Sequence, residues 1–202
     1  MRRVTTGPAV IIHGYGATPR DHWFDWLADC LRRDGTPTQI PALPEPSSPD
    51  PRAWSDATSH AIGRPGPGSI LVAHSLGCLA VLRHLASLAG PWSLGRLVLV
   101  AGFVDPLPAL PELDGFIDGG VDVSGVAERI RDLSVLRSDN DLYVPGGHTD
   151  RLAELLGASA RVVPGAGHFL ASDGVTSLPE ALEVITSHEA TDGHSASGAR
   201  QP

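Results

Sequence analysis

Residues 69–77 read Ser-Ile-Leu-Val-Ala-His-Ser-Leu-Gly, and this stretch decides the fold. Ile70, Leu71, Val72 and Ala73 form an apolar run without polar alternation, the pattern of a parallel strand buried on both faces. A helical pattern follows over about residues 78–89. Between them stands Ser75, with small residues two before it (Ala73) and two after it (Gly77). A serine on so tight a strand-to-helix turn has its hydroxyl pushed out above the sheet edge. The first free N–H groups of the helix then point at whatever the hydroxyl attacks. Such a turn is a nucleophile elbow. Its usual first small residue is glycine; Ala73 adds one methyl group.

The chain on either side supports a parallel sheet. Upstream, residues 9–12 (Ala-Val-Ile-Ile) are a second continuous apolar run, ending in His13-Gly14-Tyr15-Gly16. A helix is expected over about 22–33, where Trp23, Trp26, Leu27, Cys30 and Leu31 recur at the spacing of one buried face and Gly35 stops it. Residues 37–43 read as an edge strand, because Pro37, Pro41 and Pro44 cannot serve a central ladder. A helix over about 51–62 carries Pro51 in its first turn. Downstream, 96–101 is the next buried strand. Residues 102–126 carry Pro106, Pro108, Pro111 and several glycines and read as an irregular lid or wall, with a helix expected over 126–132. A strand at 133–137 ends at Ser138-Asp139-Asn140-Asp141. A helix at 148–156 and a strand at 160–163 lead to Pro164-Gly165-Ala166-Gly167-His168. Ser177-Leu178-Pro179-Glu180 has the form of a capping box opening a helix to about 187.

Strands alternating with helices imply an α/β fold, a three-layer α/β/α sandwich of about six parallel strands covered on both faces. Residues 1–188 are expected to form a single domain. Residues 189–202, small and polar, are expected to be a disordered tail. In open parallel sheets ligands sit at the carboxyl ends of the strands. Tyr15, Ser75, Asp141 and His168 each lie just past a predicted strand, so they share one rim.

Serine alone is a poor nucleophile and needs a base. His168, in a glycine-rich loop, is the natural base, since a neutral imidazole accepts and returns a proton near neutral pH. A histidine in this role needs an acid to fix its tautomer. Asp141 is the candidate; Asp139 is its rival, and the spacing to Val144-Pro145 favours Asp141. The order Ser75, Asp141, His168 is the order of a strand-based hydrolase triad. The backbone N–H groups of Tyr15 and Leu76 are the candidate oxyanion hole. Trp23, Phe103 and Phe116 are candidate walls of an acyl pocket, with plain core packing as the alternative. His13 is expected to hold the oxyanion turn, His74 to pack beneath the elbow, and Tyr143 to be structural.

With these residues in place the chain resembles the α/β-hydrolase-fold serine hydrolases, of the small lidless type that includes the YdeN proteins and the human retinoblastoma-binding hydrolase. The resemblance rests on His13-Gly14-Tyr15-Gly16 with His22-Trp23 and Trp26-Leu27, on 73–77, on Asp141-Leu-Tyr-Val-Pro145 and on Gly167-His168-Phe169. It implies hydrolysis of small acyl esters or amides through an acyl-enzyme on Ser75. Ala73 departs from the elbow's usual glycine. The Leu-x-Cys-x-Glu motif of the human protein is absent: the nearest string, residues 76–80, lacks the glutamate. Two other readings share the fold: a catalytically weak binding protein, and a lyase or perhydrolase using the same triad.

Composition narrows the field further. The chain has 202 residues, 42% hydrophobic and 19% charged, which suits one soluble core. A net charge of −8 argues against a nucleic-acid surface. All 15 basic residues are arginine, which excludes a lysine nucleophile, a Schiff base and a P-loop lysine. The two cysteines, Cys30 and Cys78, fall on apolar helix positions and read as small hydrophobes. No apolar run is long enough for a signal sequence or a membrane span. The expectation is a cytoplasmic monomer acting on a small-molecule acyl substrate, with no membrane or nucleic-acid partner. No cofactor is expected, and no metal, since His13, His148 and His168 lack paired ligand spacing.

Overall fold

A computed structural model describes residues 7–187. The expected tail, 189–202, lies outside the described residues. Six parallel strands build one sheet: β1 (Ala9–Ile12), β2 (Thr38–Gln39), β3 (Ile70–His74), β4 (Leu94–Val100), β5 (Ile130–Ser138) and β6 (Ala160–Val163). Their order is β2-β1-β3-β4-β5-β6. The helices are α1 (Phe24–Arg33), α2 (Pro51–Ile62), α3 (Leu76–Ser87), the single turn α4 (Asp114–Ile117), α5 (Gly146–Leu155) and α6 (Pro179–Thr186).

Period-two alternation along the central strands divides the core in two. Val10, Ile12, Leu71, Ala73, Leu97 and Leu99 face α2, α3, α5 and the segment after β4. Ala9, Ile11, Ile70, Val72, Val98 and Val100 face α1 and α6. The strands therefore read as unbroken apolar runs because both faces are covered, and the molecule is a three-layer α/β/α sandwich. The strand order reverses between β1 and β3. Such a reversal is where open parallel sheets place a ligand, outside the carboxyl ends of the strands.

Three local expectations are corrected. No helix spans 126–132: Ala127–Arg129 makes one 3-10 turn and β5 already begins at Ile130. The polar Arg131 and Asp132 hide that strand start, because Asp132 is turned to Arg96 on β4, 3.1 Å away. β2 shrinks to two residues between Pro37 and Pro41, since proline gives the ladder no N–H. The capping box does not form, because Leu178 occupies the N-cap of α6 and no side chain caps it.

Candidate active site

β3 delivers Ser75 and α3 carries it. Ser75 sits between them at φ 54°, ψ −125°, a conformation costly for any residue with a side chain. The turn closes so tightly that a Cβ on Gly77 would lie 2.5 Å from the His13 carbonyl oxygen and 2.8 Å from that of Ile12. Glycine is therefore required there. Ala73, the residue that departs from the usual elbow, is buried without difficulty in the core.

His168 and Asp141 reach Ser75 from the loops after β6 and β5. His168 Nε2 lies 2.9 Å from Ser75 Oγ, and His168 Nδ1 lies 2.7 Å from Asp141 Oδ2. A carboxylate only accepts, so Nδ1–H donates to Asp141. The lone pair of Nε2 is then left to accept from the Ser75 hydroxyl. Asp141 Oδ1 accepts the backbone N–H groups of Tyr143 and Val144, each at 2.9 Å, so the carboxylate cannot swing away. Its rival Asp139 is engaged elsewhere, with Oδ1 accepting the N–H of Gly165 at 2.7 Å.

The first loop closes the site on its other side. A Cβ on Gly14 would lie 2.8 Å from Ser75 Cβ and 3.4 Å from Ser75 Oγ, so the backbone leading to Tyr15 runs directly against the serine. Leu76 is the first residue of α3, where an N–H has no partner within the helix. Neither Tyr15 nor Leu76 gives its N–H to an acceptor among the described residues. His13, fully buried, holds this turn. Its Nε2 accepts the Leu43 N–H at 3.1 Å, so Nδ1–H donates to the Gly14 carbonyl at 3.0 Å.

Several supporting groups escaped sequence reasoning. Asp173 Oδ2 accepts the N–H groups of His168 (2.8 Å) and Leu170 (3.1 Å). Asn140 Oδ1 accepts the Gly167 N–H at 2.8 Å. Asn140 and Asp139 tie the histidine loop to the acid loop, and Asp173 braces the histidine loop from within its own segment. His74 packs beneath the elbow as expected, with its Nε2–H donating to the His168 carbonyl at 2.9 Å. Burial, then the neighbouring His168, push its pKa well below the usual histidine value, so it stays neutral. Cys78, one turn along α3, is no rival nucleophile: burial raises its thiol pKa to about 12.

The three expected pocket aromatics are corrected. Trp23 and Phe103 have no exposed surface and Phe116 is 5% exposed. Trp23 packs edge-on to Phe24 and His74, Phe116 edge-on to Trp54, and Phe103 sits in the core beside α3. All three are core. Tyr143, expected to be structural, instead lies 43% exposed with its ring 5.4 Å from that of His168. Concavities of about 340 Å³ and 70 Å³ occur around Trp92 and Arg129, near the amino ends of β4 and β5, and neither includes Ser75, Asp141 or His168.

A model of the serine hydrolase family matches residues 9–187. The chain belongs to the serine hydrolase family. It is 39% identical over 183 residues to YdeN of Bacillus subtilis, covering 91% of this chain and 96% of that one. The crystal structure of the ydeN gene product superposes with a TM-score of 0.85 at 38% identity, covering 90% of this chain and 97% of that one. A YdeN-like protein from Pectobacterium atrosepticum (TM-score 0.61, 20% identity, 89% of each chain) shares the fold. So does esterase PE8 (TM-score 0.53, 18% identity, 89% of this chain and 91% of that one). Among the described residues no helix is long and apolar enough to cross a membrane, and both cysteines are free thiols.

Proposed function

We propose that this serine hydrolase cleaves small acyl esters, or amides, through an acyl-enzyme on Ser75. The observation that carries the reading is the unbroken relay from Ser75 Oγ to His168 Nε2 (2.9 Å) and from His168 Nδ1 to Asp141 Oδ2 (2.7 Å). His168 takes the proton as Ser75 attacks the acyl carbon. Asp141 holds the tautomer and stabilises the imidazolium. The tetrahedral oxyanion is held by the N–H groups of Tyr15 and Leu76, each contributing on the order of 3 kcal/mol in the transition state. His168 then returns the proton to the leaving group, and water repeats the sequence to release the acyl chain. No step calls on a metal or organic cofactor.

Support for a small acyl group comes from what surrounds Ser75. The aromatics expected to wall an acyl slot are sealed in the core. The two free cysteines suit the reducing cytoplasm as its compartment, and we take the chain to act as a monomer.

The test is labelling with a fluorophosphonate probe. Wild type labels, Ser75→Ala does not, and Asp141→Asn loses about 10³-fold or more in labelling rate, because an amide holds the wrong tautomer of His168. Asp139→Asn keeps most of the rate, since its contact is to Gly165. A folded wild type that fails to label overturns the hydrolase reading in favour of a binding protein on the same fold.

A further inference from the structure

The turn that carries the candidate acid also carries surface that folding does not use. Asp141 is pinned at one end, its side chain 2% exposed. Val144 is pinned at the other, 1% exposed in the core. Between them Leu142 stands 86% exposed and Tyr143 43% exposed. A two-residue turn of this kind is ordinarily made of Asn, Asp, Ser or Gly, yet here it presents a leucine and a tyrosine. The large exposed apolar side chains of the described residues are Leu142, Tyr143, Leu155 and Val162. Leu142 and Tyr143 alone among them are consecutive, and they adjoin the relay. The turn's backbone and the tyrosine are held in place: Asp141 Oδ1 accepts the Tyr143 and Val144 N–H groups, and the Tyr143 ring rests at 57° to the His168 ring, 5.4 Å between centroids.

Position assigns them a side of the substrate. His168 is the group that hands its proton to the departing atom, so the Tyr143 ring, which lies against the His168 ring, faces the leaving group, with the exposed Leu142 beside it in the same turn. Tyr15 and Leu76 mark the oxyanion instead. Resting on the proposed function above, we infer that Leu142 and Tyr143 form an apolar platform that binds the leaving group. The preferred substrates are then esters or amides of alcohols or amines bearing an aromatic or bulky apolar substituent. Binding covers the exposed Leu142 side chain and the free part of the Tyr143 ring, burying apolar surface on both partners.

The experiment uses acetates of ethanol and benzyl alcohol, whose leaving oxygens have similar basicity, and reads the ratio of kcat/KM for benzyl over ethyl acetate. The ratio is well above one in wild type and falls about tenfold in Leu142→Ser/Tyr143→Ser, the loss expected when one apolar side chain's worth of contact is removed. Tyr143→Phe keeps the wild-type ratio, because the ring and not the hydroxyl makes the contact. A ratio unchanged by the double substitution overturns the platform, as does one that Tyr143→Phe lowers equally. Fluorophosphonate labelling of the same samples separates the two failures. Wild type that labels but shows no preference for benzyl loses the platform alone. Wild type that neither labels nor hydrolyses either acetate loses the hydrolase reading and the platform with it.

Discussion

Ser75 is held where a serine does not want to be. Its φ of 54° places the side chain against its own backbone, and the close approach of the Gly14 and Gly77 backbones leaves no room to relax. Glycine alone adopts that conformation without strain. Ser75→Gly is therefore expected to be more stable than Ser75→Ala by about 1 kcal/mol, although both lack the hydroxyl. Thermal melts of the two variants decide it, and equal midpoints mean that the elbow stores no strain. The three relay residues were legible in the sequence because each follows a strand end, so topology alone brings them to one rim. Asp173, Asn140 and Asp139 were not legible. They act on the backbone N–H groups of residues 165–170: Asp139 and Asn140 meet another loop's amides, which leaves no spacing signature, and Asp173 reaches back within an irregular segment that has no periodic pattern to betray it. The pocket aromatics failed for the opposite reason: an aromatic near a rim residue in sequence is more often core, and Trp23 fills the space beneath His74.

At the scale of elements, α3 does more than carry the serine. Arg83, two turns along it, gathers the carbonyls at the end of α4. Its Nη1 donates to Phe116 at 2.7 Å, its Nε to Gly120 at 3.0 Å, and its Nη2 to Ile117 and Asp118 at 3.1 Å each. The guanidinium also lies 5.5 Å above the Phe116 ring. A one-turn helix has no internal partners for these carbonyls, so the segment after β4 borrows its order from α3. That explains why proline- and glycine-rich sequence reads as irregular yet folds into a buried wall: Leu113, Phe116 and Ile117 are all core. Arg83→Met is expected to cost about 2–3 kcal/mol and to speed amide exchange selectively over residues 114–120. Arg83→Lys does not rescue it, since an ammonium cannot match the planar fork. Uniform exchange across the molecule would show that Arg83 supports the core at large and not this segment. Strands were the most readable elements, because cover on both faces leaves unbroken apolar runs. β5 was misjudged at its start because its polar residues pair across to β4, a tertiary arrangement that the local pattern cannot carry.

Across the whole molecule, buried histidines link stability to pH. His13, His74 and His84 are 0%, 2% and 5% exposed. Burial is the leading cause that lowers the pKa of each. The hydrogen bonds of His13 require the neutral ring, and burial favours the neutral form of His74 and His84. His84 Nε2 lies 2.7 Å from the Gly63 carbonyl and so donates, leaving Nδ1 to accept from Ser59 Oγ at 3.1 Å. His13 accepts from the Leu43 N–H. A second proton on His13 would set N–H against N–H. In the unfolded chain each ring titrates near 6.5. As pH falls through that value the unfolded state takes up protons that the folded state refuses. Stability is therefore present in full above the unfolded pKa of about 6.5 and declines as pH falls below it. Each group tilts the curve by up to about 1.4 kcal/mol per pH unit. Unfolding free energies from urea titrations at pH 7.5, 6.5 and 5.5 are expected to fall little between the first two and steeply between the second and third. The carboxylates titrate mainly below this window, so the drop belongs to the histidines. His84→Gln, whose amide also donates and accepts, makes it shallower. Stability that is flat or rising from pH 7.5 to 5.5 would mean that these rings accept protons in the folded state. The His13 turn would then have to open, and the Gly14 backbone that it holds against Ser75 would be displaced with it.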